Sequence, residues 1–177
     1  MVTLETNRLL LRMFQDSDLN AYAAMSADPE VMRFLGGKLL NRNDAWRSMA
    51  QVCGHWQLRG YGMWAVVEKA SNEMVGRVGC LNPEGWPGFE IGWTLRREFW
   101  GRGYATEAAR AAFDWAFENL RVSHIISLIA PSNVRSIRVA ERLGEVLEGK
   151  TRVLDWDVLI YGVDAEDWSR GKLSDRR

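Results

Sequence analysis

The chain predicts a mixed α/β fold in which helices pack on a mostly antiparallel sheet, and three observations carry that prediction. Apolar alternation and apolar helical spacing take turns along the chain, in the order strand, two helices, three strands, helix, strand, helix, two strands. A strand at 89–95 runs into a turn holding Gly101 and Gly103, and a long helix begins at once. The composition, 47% hydrophobic and 26% charged over 177 residues, suits one domain with one substantial core and not a disordered chain. No repeat, low-complexity stretch or linker divides it, so residues 1–168 are expected to form a single domain. A polar tail from Ser169 onward is expected to fray.

Arg8 to Phe14 carries Leu9, Leu10, Leu11 and Phe14 and reads as the first strand, ended by Gln15-Asp16-Ser17. Asp16 or Ser17 is placed to cap a helix through Ala27, and Asp28-Pro29 to open a short helical piece to Leu35, broken by Gly36-Gly37. Asn43 or Asp44 starts an amphipathic helix carrying Trp46, Met49, Ala50, Cys53 and Trp56, stopping near Gly60. Strands follow at Tyr61 to Glu68 and Met74 to Leu81, joined by a turn at Ser71-Asn72-Glu73. After a Pro/Gly-rich connection, the strand from Phe89 to Leu95 puts Phe89, Ile91, Trp93 and Leu95 on one face and Glu90, Gly92 and Thr94 on the other.

The helix after the glycine turn has Ala105, Ala108, Ala109, Ala112, Phe113, Ala116, Phe117 and Leu120 at helical spacing. His124 to Ala130 reads as a buried strand, and Asn133 caps a helix with Val134, Ile137, Ala140 and Leu143 on its apolar side, ended by Gly144. Val146 to Val153 and Asp157 to Val163 read as a last pair of strands.

The glycine turn is where function is expected. Glycine permits positive φ and close approach to the main chain, and the first turn of the following helix leaves N–H groups unpaired at its positive end. Strand, turn and helix start make a socket for a phosphate or pyrophosphate. A dinucleotide fold is the competing reading of Gly101-Arg102-Gly103. It fails because the third glycine position is Thr106, no first βαβ unit precedes it, and no ribose-binding acid follows at the right distance.

Other classes are excluded by composition. The formal net charge is zero, so nucleic acid and an anionic membrane are not expected partners. Cys53 and Cys80 show no CxxC spacing and read as reduced thiols, and His55 and His124 lie too far apart for ordinary zinc-ligand spacing, so no metal is expected. No apolar run is long enough to span a bilayer and the N-terminus has no signal-peptide pattern, which points to the cytoplasm.

Five segments stand in a fixed order: Thr6-Asn7-Arg8-Leu9-Leu10-Leu11-Arg12, Asp28 to Leu35, Glu90-Ile91-Gly92-Trp93, Trp100 to Ala108, and Asn133-Val134-Arg135-Ser136 ahead of Leu143-Gly144. Together they resemble the GNAT superfamily of N-acetyltransferases, and most of all its RimJ/RimL-type branch, which acetylates protein N-termini and other amines. The resemblance implies a mixed, mostly antiparallel seven-stranded sheet with helices on both faces. It also implies acetyl-CoA as cosubstrate, with an amine acceptor; pairing through exposed strands would give a homodimer. The pyrophosphate would rest on main-chain N–H groups from Gly101 to Thr106, including those of Tyr104 and Ala105, with Arg102 and Arg96 as charged neighbours. Pantetheine would lie along Trp93 to Leu95, in a split between that strand and the one holding Ile125 to Ile129. Asn133 and Ser136 would sit beside the thioester end, and a backbone N–H near Leu95 would stabilise the oxyanion.

The chemistry needs a neutral amine and a protonated leaving thiolate. Glu90 is the candidate base, directly or through water; its other reading is a solvated strand glutamate. Ser136 is the candidate donor to the thiolate, or an early-helix serine supporting the Asn133 cap. The family's common tyrosine, four residues later, is Ala140 here, which leaves Ser136 or water as donor. Glu98 stands where the superfamily often has Gln or Arg, and Arg97 reads either as a phosphate contact or as a partner of Glu98 in solvent. Of nine tryptophans, Trp93 and Trp115 are assigned to the core, while Trp46, Trp56, Trp64 and Trp86 would border an acceptor pocket in the family. The rival from another class is a non-catalytic acyl-CoA-binding protein.

Overall fold

The computed structural model describes residues 2–174. One sheet is formed by β1 (Leu4–Glu5), β2 (Leu9–Arg12), β3 (Met63–Glu68), β4 (Glu73–Leu81), β5 (Glu90–Leu95), β6 (His124–Ile129), β7 (Val146–Val153) and β8 (Trp156–Asp164). The strands lie in the order β1-β2-β3-β4-β5-β6-β8-β7, and each pairing is antiparallel except β5 with β6. That makes eight strands where the sequence predicts seven. The addition is β1, which pairs Leu4 with Leu11 and Glu5 with Leu10; two residues are too few to show alternation.

The helices are α1 (Leu19–Ala27), α2 (Pro29–Met32), α3 (Arg42–Arg59), α4 (Tyr104–Asn119), α5 (Val134–Leu143) and α6 (Ala165–Ser174). Strand β3 shows how they divide between the two faces. Met63 and Ala65 join a cluster with Tyr22, Met25, Ala45 and Met49 of α1 and α3. Trp64 and Val66 join Ala108, Ala109, Ala112 and Phe113 of α4. Alternation on one strand therefore feeds two cores, and the buried alanines let α4 lie close to the sheet.

Local boundaries differ from expectation where side chains decide them. Asn41 caps α3 by accepting the Asp44 N–H at 2.9 Å, so the helix starts ahead of Asn43 and Asp44. Asp28 caps α2 as expected, but the helix ends at Met32 and turns follow. Before α1 the chain makes a 3-10 turn, Asp16–Asp18, because the Asp18 carboxylate accepts from the Gln15 N–H at 2.8 Å and holds Arg12 in a two-pronged pair. The polar stretch from Ser169 continues α6 through Ser174.

Two features position the site. Parallel strands β5 and β6 meet at one register pair, Glu90 with Ile126, where the Ile126 N–H donates to the Phe89 carbonyl at 2.9 Å and Ser127 Oγ donates to the Ile91 carbonyl at 2.8 Å. Beyond that point the strands part. The start of α4 is fixed to the segment between β1 and β2 by Glu107, which accepts from Thr6 Oγ1 (2.6 Å) and the Arg8 N–H (2.9 Å) and pairs with the Arg8 guanidinium (2.6 Å). Arg8 also donates to the Arg102 carbonyl at 3.0 Å, which ties down the glycine turn itself.

Candidate functional site: a groove at the strand split

Gly101 and Gly103 both sit in the left-handed region, at φ +77° and +80°, and Gly103 is the N-cap residue of α4. A Cβ at Gly101 would meet nothing, and one at Gly103 would make only ordinary contact with Arg8. Backbone conformation and not local crowding demands glycine here. With the chain turned this way, the first N–H groups of α4 open onto solvent-filled space with no helical partner.

That space is a groove of about 1030 Å³. Nine of the expected site residues line it: Trp93, Leu95, Gly101, Gly103, Tyr104, Ala105, Thr106, Asn133 and Ser136. The Tyr104 hydroxyl is already engaged, donating to Glu68 beneath the Arg8 guanidinium, so its main chain is what faces a ligand. Asn133 Oδ1 accepts from the Ser136 N–H at 3.2 Å, the capping role, while the residue still borders the groove.

Two expected contacts lie elsewhere. Arg96 does not line the groove; its guanidinium is held by Glu98 (2.6 Å), the Met74 carbonyl (3.0 Å) and Glu73 (3.3 Å). Arg102 leans over the Phe99 ring toward Glu68, 3.7 Å away, and is also outside the lining. The expected pair of Arg97 with Glu98 is replaced by Arg97 with Asp28 at 3.1 Å, which brings Arg97 into the groove wall.

The positive charge of the groove comes instead from Arg135, Arg138 and Arg142 of α5, with Arg33 and Arg97 opposite. Their spacing of three and four puts the α5 arginines on one helical face, a signal present in the sequence and passed over there. Arg135 stacks over Trp100 at 4.8 Å, and Trp100 Nε1 donates to the Leu95 carbonyl at 2.9 Å.

At the split, the groove meets a smaller chamber of about 100 Å³ lined by β5 from Glu90 to Thr94. Phe34, Leu35, Trp93, Thr94, Asn133 and Ser136 border both spaces. Glu90 lines the chamber and is 7% exposed, so the reading of a solvated strand glutamate does not hold. Burial pushes its carboxyl up to about 7, against the opposing pull of the Trp86 indole N–H, a Leu128 backbone hydrogen bond and the Arg77 charge. Gly92, two residues on, lies beside the Glu90 carboxylate: a Cβ there would meet Oε1 at 3.4 Å, an ordinary contact.

Ser136 sits at the junction. Trp93 Nε1 donates to Ser136 Oγ at 3.2 Å, which occupies an acceptor position and leaves the serine proton free to be donated. Among the other tryptophans, Trp86 alone borders the acid, donating to Glu90 Oε2 at 2.6 Å. Trp56 and Trp64 pack edge to face in the core, and Trp46 is half exposed. His55 is packed against Tyr61 with its Nδ1 on the Tyr61 carbonyl. Among the described residues, no cluster suits a metal ion and no helix is long and apolar enough to cross a membrane.

The chain matches known proteins over nearly its full length. The model of the acetyltransferase (GNAT) domain family matches residues 8–146. The Bacillus subtilis (strain 168) protein YkkB is 35% identical over 89% of this chain and 93% of its own. A crystal structure of an acetyltransferase from Agrobacterium tumefaciens str. C58 superposes with a TM-score of 0.82 at 33% identity, covering 92% and 94% of the two chains. Aminoglycoside acetyltransferase AAC(6')-Ib, solved in complex with coenzyme A, superposes at 0.78 over 93% and 99% but is only 18% identical, a likeness of fold. Split sheet, glycine turn and family match agree: the chain belongs to the GNAT acetyltransferase family.

Proposed function

We propose that the protein is an acetyl-CoA-dependent N-acetyltransferase that acetylates a primary amine, of a protein N-terminus or a small molecule, by direct attack in a ternary complex. The observation that carries this reading is the junction of two spaces at Ser136: a long groove suited to a cofactor on one side, a small chamber ending on a buried acid on the other. The groove fits the proposed cosubstrate in its chemistry. Helix-start N–H groups at Gly103 to Thr106 and the arginines at 135, 138 and 142 suit phosphates, and the open edge of β5 suits an amide-bearing arm. When bound, acetyl-CoA supplies an activated acetyl thioester.

The chain's own residues account for the protons. Glu90, held near neutrality by burial, accepts a proton from the incoming ammonium and so frees its lone pair. Ser136, with Trp93 on its acceptor side, gives its hydroxyl proton to the departing thiolate. Phe34, Leu35 and Trp93 border both spaces and put apolar surface at their junction.

Neither cysteine supports a covalent route. Cys80 is buried with its thiol pushed up by burial, and Cys53, partly buried, is also raised. Initial rates with both substrates varied test direct attack. Intersecting lines are expected, and parallel lines, the mark of a covalent acetyl-enzyme, would contradict it.

A further inference from the structure

Arg77 is a charge in the middle of an apolar strand. It lies on β4 directly opposite Thr94 of β5 and lines the same small chamber as Glu90. Its Nη1 donates to the Tyr22 hydroxyl at 2.8 Å, and its buried Nε has no hydrogen-bond partner. Among the described residues, no carboxylate forms an ion pair with it; Glu90 feels its charge without touching it. A half-buried guanidinium left without a counter-anion is costly unless something else brings one.

Besides the polar Thr94, Ser127, Asn133 and Ser136, the rest of the chamber wall includes the apolar Phe34, Leu35, Met63 and Leu81. Two opposite charges thus stand apart in a space of about 100 Å³. A simple alkylamine would answer Glu90 and leave Arg77 unmatched. A molecule with an amine and a carboxylate would answer both, because a guanidinium offers a planar fork for a carboxylate.

We propose that Arg77 is the anchor for the acceptor's own carboxylate, and that the acceptor is a small carboxylate-bearing amine of the amino-acid class. This inference rests on the transferase reading above and narrows its acceptor. The ammonium has two protons to lose. Glu90 takes the first and later returns it to water. The amine lone pair then forms the C–N bond with the thioester carbonyl carbon, the C–S bond breaks, and its electron pair stays on sulfur. The sulfur receives the Ser136 hydroxyl proton, and Ser136 regains one from the new amide nitrogen. The products are an N-acetyl amino acid and free CoA thiol.

The test is free-thiol release from acetyl-CoA with matched acceptors: amino acids, their amides, their decarboxylated amines, and short peptides. The acids are expected to exceed their amides in kcat/KM by at least tenfold. Arg77→Met is expected to bring that ratio to about one through a raised KM for the acids, and Arg77→Lys to restore part of it. Amides or peptides that match or exceed the acids in the unaltered protein would overturn the inference while leaving the transferase reading intact. So would a ratio unchanged in a folded Arg77→Met. Thiol release with no amine at all would overturn both.

Discussion

The Trp86 indole N–H donates to Glu90 Oε2 at 2.6 Å, so a tryptophan from the loop before β5 partly offsets the effect of burial on the acid. The bond favours the ionised carboxylate, while burial favours the protonated one, and the balance is a carboxyl at about 7. A base with that value works best close to neutral pH.

Glu90→Gln is expected to lower kcat/KM by about 10²- to 10⁴-fold, the usual range for loss of a general base, and to abolish the acid limb of the pH profile. Trp86→Phe removes a bond to the charged form, so the Glu90 carboxyl rises further and the limb moves to higher pH. Rate profiles of the three proteins decide this. A limb that persists in Glu90→Gln would assign the base elsewhere.

Ser136→Ala removes the proton that Trp93 leaves free. The expected effect is a drop of about tenfold in kcat with little change in acetyl-CoA binding, a modest share of the range for proton transfer. The deficit should shrink with an acetyl thioester of a more acidic thiol, whose leaving group needs less help. An equal deficit for both donors would reduce Ser136 to a helix-cap serine.

Gly103→Trp is expected to abolish CoA binding by titration calorimetry while the far-ultraviolet circular dichroism stays native. A non-glycine residue at φ +80° costs about 1–2 kcal/mol, which lowers Tm by roughly 2–8 °C in a chain of this size. Unchanged CoA affinity would remove the cofactor from this turn.

Glu145, next to Gly144 at the start of β7, is 3% exposed and neither carboxylate oxygen has a hydrogen-bond partner; the nearby Ser127 hydroxyl is spent on Ile91. Burial, with the charges of Glu90 and Glu148 adding to it, pushes this carboxyl up to about 8. A folded value above the unfolded 4.5 means that the native state holds the extra proton. The stabilisation is therefore full below about 4.5 and lost as pH rises toward 8, at up to about 1.4 kcal/mol per unit. Glu90 adds to the same slope up to about 7. Thermal unfolding from pH 5 to 9 should show a falling Tm, and Glu145→Gln should flatten the fall. Parallel curves for the two proteins would show that Glu145 is not buried as a neutral acid.

The fold was legible because its elements carry strong periodicity. The α4 stripe from Ala105 to Phe117 buries one face of that helix, and burial enforces what the spacing suggests, while β5 is buried at Glu90 and Thr94 as well as at Ile91 and Leu95. The glycine turn was legible because only glycine fits two left-handed positions at so low a cost. Charged side chains were not. Arg96, Arg97 and Arg102 lie in one turn, yet which of them reaches the groove depends on Asp28, Glu68 and Glu73, distant in sequence. Arg77 and Glu145 each interrupt an apolar stretch, a visible signal, but the groups that surround each of them are brought there only by the folded sheet.

Free-thiol release from acetyl-CoA across a panel of primary amines tests the central claim most directly. Release that requires both an amine and Glu90 is the predicted result. Tight CoA binding in the groove, with no thiol released by any amine, would contradict it and make the protein a non-catalytic acyl-CoA binder.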